Sequence, residues 1–223
     1  ISTRQVSSAA SDVYKRQARN TQEAMEDLGS GMLKEPMTRL TNLLRNFPVI
    51  ADPEANTDTR EEAYRELFEV YGSSLGQAPL NSPSVFNFFL PDYQPNGEIA
   101  DANLYGPEFQ ILSSFTGVAT MNVWDDLLIG WVRAEEIGEE TEFSDDEAGP
   151  PVLLPQLDAS TVAKLGSDQA MIDYLNLYLA SGVLSQETQD IIKTAIEGVN
   201  DDDLKARLAA YLVMISPEHA ISK

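Results

Sequence analysis

Asp92, beside Tyr93, and Glu108, placed by Pro107 at a helix start, are the acids whose positions could do chemistry. They stand at opposite ends of one aromatic-rich segment. Two carboxylates in a partly apolar cleft can divide general-acid and general-base duties, as glycosidases require. Asn87 and Gln110 add amides that hold either a ligand or the loop's own backbone. With Phe86 and Phe89 as apolar walls, the candidate cleft is Phe86, Asn87, Phe89, Asp92, Tyr93, Glu108 and Gln110. A structural reading competes with it. Acids are abundant in this chain, so such a pair arises by chance, and Glu108 is explained as a first-turn acid complementing the helix dipole. For Asp92, Glu108, Asn87 and Gln110 the structural role is preferred, and no catalytic set is assigned.

Other chemistries find less support. The single histidine, His219, reads as an ordinary surface residue, and no Gly-x-Ser-x-Gly accompanies any serine. No His-x-x-x-His or Glu-x-x-His pair marks a transition-metal site, and no glycine-rich phosphate loop is present. The absence of cysteine excludes disulfides, thiol nucleophiles and thiolate metal sites. Lys34, Arg39 and Arg45 read as solvated or paired with local acids, with an anion site as the alternative. Between Arg133 and Lys164 there are nine acids and no Lys or Arg, followed by Gly149-Pro150-Pro151 in its middle, which predicts a mobile acidic loop over about 135–151. Calcium is the conceivable ligand there, but EF-hand spacing is missing. The sequence therefore predicts no metal and no cofactor.

The elements that must position the cleft centre on residues 78–110. Pro79, Pro83, Pro91, Pro95 and Pro107 exclude a continuous helix or a central strand. Phe86, Phe88, Phe89, Tyr93, Tyr105 and Phe109 argue for an ordered loop pinned by aromatic burial. Ser82 and Pro83 suit the start of one helical turn, after which the chain is expected to wander until Pro107. Pro36 opens a helix carrying Leu40, Leu43, Leu44 and Phe47 on one face. Asp58 with Glu61 reads as a capping box for a helix ending at Gly72. From Pro107, Phe109, Leu112, Phe115 and Ala119 predict a helix that Gly117 weakens. Asn122 with Asp125 then caps a second piece bearing Val123, Trp124, Leu127, Leu128 and Trp131. Ser167, Ser185 and Asp201–Asp203 open three closing helices, the last with Leu204, Leu208, Tyr211, Leu212 and Ile215 as its stripe. The fold class is all-α, an irregular helical bundle with a long ordered Pro/aromatic-rich loop.

Several motifs resemble one bacterial family. They are Ala78-Pro79-Leu80, Ser82 to Phe89, Pro91-Asp92-Tyr93 and Pro107 to Gln110, with Leu33 to Pro36, Arg39-Leu40, Leu44-Arg45, Tyr211 to Met214 and Ser216-Pro217-Glu218. Together they are similar to the domain of unknown function 1800 (DUF 1800) family. The resemblance implies a C-terminal fragment of a longer, exported (periplasmic or secreted) bacterial protein of unestablished activity, and supplies no catalytic residues. Residues 1–17, basic and without periodicity, resemble a translated sequencing adaptor. The expected organisation is thus a non-native leader over 1–17 and part of a larger helical domain over 18–223.

A net charge of -21 argues against nucleic acid and anionic membranes as partners. No apolar run reaches the roughly 18 to 20 residues of a membrane span. The expected role is a binding or scaffold module, its partner an unknown protein or the missing N-terminal half. The alternative is a hydrolase-like enzyme fragment whose cleft that half completes.

Overall fold

The computed structural model describes residues 31–50, 67–68, 71–85, 87–130 and 157–222. The leader, the Asp58 capping box, Phe86, Trp131 and the acidic stretch after Arg133 lie outside these residues.

The described part is helical, with one two-residue antiparallel pairing between β1 (Met32–Leu33) and β2 (Ile221–Ser222). Helix α1 (Pro36–Asn46) starts on its proline and buries Leu40, Leu43 and Leu44, with Phe47 buried just beyond. This is the stripe expected from the 3.6-residue period. Residues 71–75 are helical through Gly72, and the turn comes at Gly76, which takes a φ of 70° that favours glycine. Gly72 does not end this helix. It stays helical and packs against Ala78, where a Cβ would come within 2.4 Å of the alanine Cβ.

The helix expected from Pro107 is two elements. Pro107–Ile111 is a short 3-10 turn, and α3 (Ser114–Asp125) follows the four-residue α2 (Glu98–Asp101) as the next α-helix. Ser113 explains the break. Its Oγ accepts from Thr116 N at 3.1 Å while Thr116 Oγ1 accepts from Ser113 N at 2.7 Å, a reciprocal box that fixes a new start. Beyond that box Gly117 does not interrupt the helix. It runs past Asn122 into a π-helical turn over Asp126–Gly130, so no separate second helix starts at Asn122. Val123, Trp124, Leu127 and Leu128 are core, as expected.

The closing part holds α4 (Ser160–Ala163), α5 (Asp168–Tyr178), α6 (Gln186–Ile196), α7 (Asp202–Ile215) and the single turn α8 (Pro217–Ala220). Ser167, Ser185 and Asp201 cap α5, α6 and α7 through their side chains. Helix α7 is the hub, touching α3 with its π-turn, α4, α5, α6 and α8. Its fully buried face is Ala206, Arg207, Ala209, Ala210, Val213 and Met214 rather than the expected leucine stripe. Alanines there let neighbouring helices approach closely, and the larger Leu208, Tyr211, Leu212 and Ile215 pack partly buried around the rim.

Candidate interaction surface

Residues 78–110 are held, but by backbone and amide contacts rather than by aromatic burial. Gly106 N donates to Tyr93 O at 3.0 Å, and Leu90 N donates to Gln110 Oε1 at 2.7 Å. Gln110 thus performs the backbone-holding role weighed for it. No described aromatic of the segment joins the core: Phe88, Phe89, Tyr93 and Phe109 are half-buried and Tyr105 is exposed. The expected helical turn after Ser82 is instead a tight turn with an isolated Ser84–Asn87 bridge, and Asn87 takes a φ of 69°. Asparagine tolerates that left-handed conformation better than most residues, which gives Asn87 a conformational reason to be there. The chain does not simply wander to Pro107, since Glu98–Asp101 forms one helical turn.

The two candidate acids sit in different surroundings. Asp92 is exposed at a turn, whereas Glu108 is 8% exposed in the 3-10 turn. Phe89 and Tyr93 are half-buried, Asn87 and Gln110 exposed, and Phe86 lies outside the described residues. A pocket of about 330 Å³ lies between α5 and α6, lined by Asp168, Asp190, Lys193, Thr194 and Glu197. None of the seven candidate residues lines it. Among the described residues no three His, Asp or Glu side chains gather as metal ligands, and no helix is long and apolar enough to cross a membrane.

What the segment and the helix after it present is apolar surface. On α3, Phe115 is 72% exposed, and Val118 and Met121 follow at three-residue steps, with Leu112 just before the helix. This part reads from the sequence either as core or as a face for the missing half; Leu112 and Phe115 lie outside the core, while Val123 and Trp124 are inside it. Leu80, Val85, Leu90, Leu104 and Tyr105 are exposed in the connector leading to α3. From Glu66 to Val132 the sequence contains no Lys, Arg or His, while Asp92, Glu98 and Asp101 are present. The stretch that supplies this face therefore carries acids as its only charges.

A second arrangement gathers two of the cations for which an anion site was the alternative reading, Lys34 and Arg39, around a histidine expected on the surface. His219 is fully buried rather than on the surface. The one-turn α8 and its Ser216 cap place it, with His219 N donating to Ser216 Oγ. Arg39 Nε donates to His219 Nδ1 at 3.3 Å, Arg39 Nη2 donates to Met214 O at 2.5 Å, and the guanidinium lies 5.4 Å from the Trp124 ring centroid. Lys34 is tied to the same corner, its backbone N donating to Ala220 O at 2.7 Å. Arg39 is thus neither freely solvated nor paired with a local acid. Burial alone lowers it to about 10, so it stays charged at neutral pH. Burial, then Arg39 and Lys34, push His219 down to about 2 and keep it neutral. Burial and Arg39 also lower Lys34. The Leu33-Lys34-Glu35-Pro36, Arg39-Leu40, Tyr211 to Met214 and Ser216-Pro217-Glu218 motifs all contribute to or flank this corner.

No curated protein and no solved structure matches the chain. A family match covers residues 8–221, reaching into the segment over 1–17 that reads as adaptor-like. With the loop, α1 and the closing motifs all inside that match, the chain belongs to the family described as protein of unknown function (DUF1800).

Proposed function

We propose that this domain is a binding or scaffold module whose partner is a protein with apolar side chains inside a basic rim. The exposed Leu112–Phe115–Val118–Met121 face carries the reading. Scattered exposed apolar residues are ordinary, but a helix whose outer side is apolar over successive turns favours an interface. The missing cations choose the partner's character. Acids in the stretch that carries an apolar face attract a basic rim and repel an anionic membrane or a second copy of the same face. The exposed setting of Asp92 and buried setting of Glu108 favour this over the hydrolase reading, which needs both acids at one substrate. Export remains part of the proposal on the strength of the family resemblance; recovery of the complete gene product in the cytoplasmic fraction would count against it.

The test pairs Phe115→Glu with Val118→Glu. Both side chains are largely exposed, so the double variant is expected to melt within about 0.5 kcal/mol of the parent. Its affinity for a captured partner should fall at least tenfold, and the parent's affinity should weaken with added salt. Ile191→Glu, on the exposed side of α6, is the control and should bind like the parent. Equal loss in the control, or unchanged binding by the double variant, removes the proposal. Turnover of a substrate that Asp92→Asn and Glu108→Gln both abolish would restore the enzyme reading.

A further inference from the structure

We propose that Lys34, Arg39 and His219 form a binding site for a small tetrahedral dianion of the phosphate or sulfate kind. Among the described residues the corner is rich in donors and lacks an anionic acceptor. Arg39 uses Nε on His219 and Nη2 on Met214 O, leaving Nη1 without a protein partner among the described residues. His219 Nδ1 accepts from Arg39, so in the neutral ring the proton sits on Nε2. That Nε2 is buried and unpartnered. Trp124 Nε1, a donor that cannot accept, is likewise buried and unpartnered beneath the guanidinium. Lys34 adds a second, half-buried cation one residue away from His219 through its bond to Ala220.

Two cations and a neutral donor in one part-buried corner are unfavourable unless an anion completes them. This chain has 36 acids against 15 Lys and Arg, so a carboxylate partner was easily available. The nearest acid in sequence, Glu35, is turned to Gln77, accepting from its Nε2 at 2.5 Å, and Gln77 Oε1 in turn accepts from Met37 N. No hydrogen bond or ion pair joins a carboxylate to Lys34 or Arg39 among the described residues. Arg39 and Lys34 are both partly exposed, which opens the corner to solvent on the cation side. Two positive charges favour a dianion, and a tetrahedral group offers several acceptor oxygens to such donors.

The experiment titrates the full chain with inorganic phosphate, holding ionic strength constant with sodium chloride. His219 is the sole histidine, so its imidazole resonances report the site without assignment. Phosphate should move those resonances saturably, and at a hundredfold excess over Kd should raise Tm by about 5–10 °C above the chloride control. Sulfate should compete with phosphate, and acetate should bind more weakly. Lys34→Gln removes a half-exposed ammonium while its backbone bond to Ala220 remains, and should weaken phosphate at least tenfold in a folded protein. Arg39→Lys keeps the charge but loses the Nε bond and should also bind more weakly. Equal effects of chloride and phosphate, or Lys34→Gln binding like the parent, overturn the site.

Discussion

His219 shows how far one residue's chemistry departs from its type. In solution an imidazole takes a proton near pH 6.5, but here burial and two neighbouring cations hold it neutral down to about 2. The unfolded chain therefore binds a proton between those values that the folded chain refuses. Stability from this group is complete above pH 6.5 and declines as pH falls through the window, by at most about 1.4 kcal/mol per unit. Proton NMR from pH 8 to 4 should show the lone imidazole untitrated while the protein remains folded, and urea midpoints should drop over the same range. An ordinary titration near 6.5 in the folded state would contradict the burial. Nothing around His219 in the sequence announces this. Its partner Arg39 is 180 residues distant, and neither residue lies on an apolar stripe that would place it.

At the scale of elements, local patterns were read well where one answer dominates. The Leu40–Leu43–Leu44 face and the Ser167, Ser185 and Asp201 caps follow from helical period and side-chain capping alone. Helix α3 stays ambiguous in the sequence because it has apolar residues on opposite sides, and period cannot say which one meets the core. In the aromatic loop bulk predicts more burial than the described aromatics reach, since Phe88, Phe89, Tyr93 and Phe109 are half-buried and Tyr105 is exposed. Ser185 joins two elements: its Oγ accepts from Thr188 N and donates to Glu218 Oε1 at 2.8 Å, while Thr188 Oγ1 donates to the same oxygen. Burial alone would raise Glu218, but the Thr188 and Ser185 hydroxyls hold it below the usual carboxylate value. Ser185→Ala should cost about 1–2 kcal/mol by urea denaturation. Part of that loss should disappear at acid pH, where Glu218 is protonated and the α6–α8 link is already weakened. A cost unchanged by pH would assign the whole effect to the cap.

Across the whole molecule, a charge of -21 sets the response to solvent. The ion pairs among described residues, Lys205–Asp168 and Arg207–Asp203, engage few of the acids, so self-repulsion opposes the compact state. Raising sodium chloride from about 10 to 500 mM shortens the Debye length from roughly 30 Å toward a few ångströms. Tm should rise across that range, and a fall would mean that attractive pairs outweigh repulsion. The all-α architecture and the bundle of the last third were visible from the sequence, whereas the hub role of α7 was not, because alanines carry little hydrophobic signal. The closing turn has a further consequence. Met214, His219 and Ala220 complete the surroundings of Lys34 and Arg39, and the β1–β2 pairing brings the same distant stretches together. A ribosome makes α1 about 170 residues before these partners, so α1 must remain without them until α7 and α8 have been made. Its apolar face is then a natural target for a holding chaperone, and this corner can lock only after α7 and α8 have emerged.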